Sequence, residues 1–159
     1  MEYYFCDEEK VAELEHRGKI IELRAYDTIH GIWKYFTVDD DQVDLEKQDY
    51  LMIGTLESYL KIREYYGKEW VIPIYIEVED GERLARALER ERAQTSPRYE
   101  ELCRRFLADA ADFSEEKLRD AQINRRFVNI SLEETEREII HYMLKTHVEN
   151  TSLNEENCG

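Results

Sequence analysis

The stretch from Trp70 to Val78 constrains the fold more than any other, because it is rich in Val and Ile and apolar nearly throughout. A strand with one wet face alternates apolar and polar residues. A continuous apolar strand is expected to be buried on both faces, as in a parallel sheet covered by helices. Pro73 interrupts it, since proline brings no ladder donor. The flanks fit the same reading. Before it, Tyr59, Ile62 and Tyr66 recur at helical spacing and Gly67 closes the helix. After it, Glu82 to Ala93 reads as helix. Ser96-Pro97 then restarts one, with serine as cap, proline in the first turn and Tyr99, Leu102 and Phe106 as the apolar stripe. Phe127 to Ile130 reads as a last short strand. Ser131-Leu132-Glu133-Glu134 is a capping box opening a final helix through Leu144. The polar tail, 147–159, is expected to be disordered.

The first third is richer in strands. Tyr3-Tyr4-Phe5 reads as a short strand and Asp7 to Arg17 as a helix with Val11 and Leu14 on one face, ended by Gly18. Lys19 to Tyr26 and Ile29 to Val38 read as strands, Asp39-Asp40-Asp41 as a turn and Tyr50 to Thr55 as a compact apolar strand. The order predicts an α/β domain carrying a mixed-sheet module.

The formal net charge of −15 over 159 residues argues against nucleic acid, whose phosphates the summed field repels. No apolar run approaches the ~20 residues that span a bilayer. Three widely spaced cysteines (Cys6, Cys103 and Cys158) show no metal-ligand spacing and point to a reducing cytoplasm. Seven arginines and no lysine lie between Arg83 and Arg105. They read equally as a phosphate clamp or as a solvated face laced with Glu89, Glu91, Glu100 and Glu101.

Several segments recur here in a familiar order. They are Glu2-Tyr3-Tyr4-Phe5, the helix 7–17, Lys19-Ile20-Ile21-Glu22, His30-Gly31, the apolar strands 50–55 and 71–78, the lid-like Arg86 to Arg92, Cys103-Arg104-Arg105-Phe106, and Phe127-Val128-Asn129. Together they resemble the guanylate kinase family of nucleoside monophosphate kinases. The resemblance implies a P-loop-kinase-like parallel sheet with helices on both faces, its first strand and P-loop missing, plus a mixed-sheet module that binds a nucleoside monophosphate. That module would occupy 1–56, and the α/β core 57–146 with a lid at about 82–105. It implies ATP-dependent phosphoryl transfer to GMP or a related nucleotide, with Mg2+, in a complete chain.

Carried over by position, Tyr3 would donate to the acceptor phosphate and Glu22 would accept from guanine N1–H and its amino group. His30 and Thr55 would line the same substrate site. Arg86 and Arg90 would be lid arginines that hold phosphate, Arg92 and Arg105 would clamp the transferring group, and Asn129 would lie near the donor adenine. The sequence departs from the pattern at four places, with His30 for a tyrosine, Ile32 for a hydroxyl residue, and Ile53 and Thr55 for aspartates. It also contains no Gly-x-x-x-x-Gly-Lys-Ser/Thr. The family's first strand, phosphate loop and further arginines would lie before Met1. These residues alone are therefore expected to be inactive, and the alternative is a non-catalytic guanylate-kinase-like module for a nucleotide or phosphorylated partner. Loss of a central strand would leave two open edges, which predicts a homodimer or a swapped assembly.

Overall fold

The computed structural model describes residues 5–28 and 31–156. The chain is mixed α/β and divides into two units, Met1–Ile72 and Pro73–Gly159. This boundary differs from the expected one after residue 56.

In the first unit, helix α1 (Glu8–His16) begins because the Asp7 carboxylate accepts from Lys10 N–H at 2.8 Å. It ends at Gly18, whose φ of 64° suits a residue without Cβ. Strands β1 (Ile20–Thr28) and β2 (Gly31–Val38) form an antiparallel hairpin. Its open end is tied by Asp39 N–H to Lys19 C=O and by a 2.8 Å Lys19–Asp39 ion pair. The expected strand at 50–55 does not form. Leu51 and Ile53 are exposed by 78% and 95%, and among the described residues no strand pairs with them. Helix α2 (Leu56–Tyr66) starts instead at Thr55 and packs across β1, burying Leu56 and Ser58.

In the second unit, only Tyr75–Glu77 (β3) of the long apolar stretch is laddered. It pairs in parallel with β4 (Arg126–Val128), Ile76 opposite Phe127. Each strand is three residues long, and Ile76 is half exposed, so burial on both faces is not realised there. Helices α3 (Asp80–Arg92) and α4 (Tyr99–Asp112) pack together, with the Arg83 guanidinium 4.1 Å over the Phe106 ring. α4 opens at Arg98, two residues beyond the predicted Ser96 cap. A short α5 (Glu115–Asp120), absent from the sequence reading, buries Leu118. Helix α6 (Leu132–Glu156) runs twelve residues past the expected end at Leu144. The core of this unit is Phe127, Leu118, Ala121 and Ile123, with the Tyr142 ring 5.4 Å from Phe127. Among the described residues no helix is long and apolar enough to cross a membrane.

Candidate functional site

Glu22 is a buried carboxylate in the first unit, 5% exposed. The hairpin register slips between Ile20 and Glu22, a bulge of the kind that re-aims a side chain. Glu22 pairs directly opposite Thr37, and Arg24 follows two residues on, on the same strand face. Three hydrogen bonds and one further ion-pair contact converge on its two oxygens. Oε1 accepts from Thr37 Oγ1 at 3.1 Å and from Arg24 Nη2 at 3.2 Å. Oε2 accepts from Ser58 Oγ at 3.1 Å, and Arg24 Nε lies 3.0 Å away, its hydrogen not aimed at that oxygen. A carboxylate offers about four lone-pair sites, so three of them are engaged here.

The chain of polar contacts continues to Thr55. Its hydroxyl caps α2 by accepting from Ser58 N–H at 3.3 Å and lies 3.2 Å from Ser58 Oγ. Two of the predicted substrate residues, Glu22 and Thr55, are therefore brought together through a serine that the sequence reading missed. Arg24 and Thr37 were missed as well. Their signal was available in part: residues two apart on a strand share a face, and a threonine before a helical pattern is a good N-cap. An open cavity of about 330 Å3 is lined by Glu22 with Ile20, Ile21, Leu23, Glu57 and Lys61, and of the network's residues only Glu22 borders it. Tyr3 and His30 lie outside the described residues. Ile32 is 68% exposed.

In the second unit, Arg86 binds Glu82 at 2.7 Å and donates from Nη2 to Asn129 C=O at 3.4 Å, so these two predicted residues also meet. Arg90 and Arg92 lie in the last turn of α3, where a cation is favoured by the helix dipole, and form no ion pair among the described residues. Arg105 is 71% exposed and bound at 2.7 Å to Glu101 of its own helix, which Arg104 also grips at 2.8 Å. These two guanidinium groups hold the Glu101 carboxyl at about 2, below its usual range. Arg98 and Arg104 border a second open cavity of about 440 Å3 at the start of α4. Among the described residues no group of three or more acidic, His or Cys side chains is placed to hold a metal ion. No protein-family model, curated protein or solved structure matches the chain.

Proposed function

We propose that the chain is a guanylate-kinase-like nucleotide-binding protein whose first unit receives the base of GMP or a close relative. The observation that carries this reading is the Glu22–Ser58–Thr55 chain, whose Glu22 also borders an open cavity. It joins two residues selected from sequence for the same ligand but 33 positions apart. A buried carboxylate is suited to a base edge with two adjacent donors. In the second unit, the parallel β3–β4 pair and the arginine-bearing α3 and α4 are compatible with the lid and core of a P-loop-type kinase. Phosphoryl transfer from Mg2+–ATP is the reaction of the resembled family. These residues hold no phosphate loop, so the proposal assigns them acceptor binding, and transfer only when such a loop is supplied.

A non-catalytic binding module is the second reading. It is favoured by the neutralisation of Arg104 and Arg105 on Glu101, which leaves them less charge for a transferring phosphoryl group. Calorimetric titration with GMP and AMP tests the base site. GMP is expected to bind more tightly, and saturation at 100 times its Kd to stabilise the fold by about 2.7 kcal/mol. No heat and no stabilisation at millimolar GMP would overturn the proposal. ADP release from Mg2+–ATP with GMP present would select the catalytic reading over the second.

A further inference from the structure

The segment leading into α2 has the habit of a strand without a neighbour. Residues 48–55 carry neither turn nor bend. From Tyr50 to Ile53 the exposures run 38, 78, 44 and 95%, an alternation of period two. The inward set is anchored. The Tyr50 hydroxyl donates to Gln42 C=O and accepts from Asp44 N–H, both at 3.0 Å, and a Cβ at Gly54 would come 3.1 Å from Ser58 Cβ. Leu51 and Ile53 form the outward set. Among the described residues, no backbone N–H or C=O from Tyr50 to Gly54 finds a hydrogen-bond partner. An uncharged apolar segment, held at both ends with its backbone unpaired, is a template for a second strand.

We propose that this second strand is the same segment of another copy of the chain, paired antiparallel about a two-fold axis at Met52. With Met52 opposite its own counterpart, Leu51 stands opposite Ile53 on the outward face, twice by symmetry, and each covers the other. Tyr50 stands opposite Gly54, where a ring can lie over bare backbone. The charges agree with that register. Asp49 comes opposite Thr55, the N-cap of the second copy's α2, where the helix dipole favours a carboxylate. Farther out, Lys47 approaches Glu57 in the first turn of that helix. No like charges meet anywhere from Lys47 to Glu57, although the chain carries −15 overall. The pairing is independent of the proposed nucleotide site.

Sedimentation equilibrium of the full chain should show a monomer–dimer equilibrium that Ile53→Lys abolishes. Lys47→Glu should weaken the dimer about 10-fold through its two symmetry-related contacts, and Glu57→Lys added to it should restore the affinity. Register is read by cross-linking in a background with Cys6, Cys103 and Cys158 replaced by serine, itself confirmed folded by circular dichroism. Directly opposed Cα atoms lie within disulfide reach, so Met52→Cys should oxidise to a covalent dimer by itself. Leu51→Cys and Ile53→Cys should each cross-link poorly alone and readily when mixed. A chain that stays monomeric throughout the micromolar range overturns the proposal. So does a dimer indifferent to Ile53→Lys, or Met52→Cys cross-linking no faster than Leu51→Cys. Binding of the strand peptide Lys-Lys-Val-Thr-Val-Thr-Val-Lys-Lys to a monomeric chain, with amide shifts at 51–53, also overturns it and gives the segment to a basic partner.

Discussion

Replacing Glu22 measures how much of the first unit hangs on one carboxylate. In Glu22→Ala, Arg24 loses its buried anion, while Thr37 and Ser58 lose an acceptor. Removing one partner of a fully buried pair costs about 3–5 kcal/mol. Two features reduce that here. Arg24 is a quarter exposed and can turn to water. Ser58, though fully buried, has Thr55 Oγ1 at 3.2 Å as a second acceptor. The expected loss is therefore about 2–4 kcal/mol. Glu22→Gln keeps the shape. Its carbonyl can take the Oε1 place against Thr37 and Arg24 Nη2, and its amide can donate to Ser58, whose hydroxyl then turns to Thr55. Only Arg24 Nε then faces a donor, and about 1–2 kcal/mol should be lost. Both tryptophans, Trp33 and Trp70, belong to this unit, so their fluorescence during urea unfolding reports it selectively. The reasoning is refuted by an Ala variant within 0.5 kcal/mol of wild type, or by a Gln variant worse than Ala. Additivity of Glu22→Ala with Ser58→Ala would refute it too, since coupled neighbours should show at least about 0.5 kcal/mol of interaction.

Three further outcomes are expected. Phe127→Ala empties the most deeply buried ring of the second unit and should cost about 3–5 kcal/mol, read by far-ultraviolet circular dichroism during denaturation. Gly18→Ala meets no atom within 4 Å, so it should cost only the left-handed backbone strain of about 1–2 kcal/mol, and Gly18→Asn should cost less. Hydrogen bonds from Lys19 and the Tyr65 hydroxyl hold the Asp39 carboxyl below its usual range, and Asp39 raises Lys19 in turn. Stability from Asp39 is then full above its unfolded value of about 3.8 and lost as pH falls below it. Stability from Lys19 is full below about 10.5 and lost as pH rises further. Asp39→Asn should flatten both limbs of a plot of melting temperature against pH.

Elements set by local chemistry were legible in the sequence. Asp7 and Gly18 bracket α1, Gly67 closes α2 and Ser131 precedes α6, because caps and positive-φ glycines act within a few residues. The β1 and β2 strands followed from their pattern and the acidic turn beyond them, though their pairing as a hairpin did not. Strands that need a distant partner were legible only in part: β4 was read at Phe127 to Ile130 and forms at Arg126–Val128. Leu51, Met52 and Ile53 look like a strand by composition yet pair with no strand among the described residues, and 70–78 is laddered only over the three residues that β4 reaches. Pro73, with no N–H, lies outside that ladder. The short α5 carries too little periodicity to be seen. At the proposed base site, Glu22 and Thr55 were selected by resemblance, whereas Arg24, Thr37 and Ser58 emerge only when the sheet face and the α2 start are brought together in space.

The two sheets also differ in when they can exist. The β1–β2 hairpin closes between residues three apart, Thr28 and Gly31, so it can zip as soon as both strands leave the ribosome. Glu77 and Arg126, joined across β3 and β4, are separated by 49 residues. At about 5–20 residues per second, β3 waits roughly 2–10 seconds for the strand that completes it. During that interval Ile76 has no ladder beside it, and α3 and α4 are made first. The nascent second unit is thus a set of helices awaiting its sheet, and its vulnerability to mispairing is concentrated in those seconds.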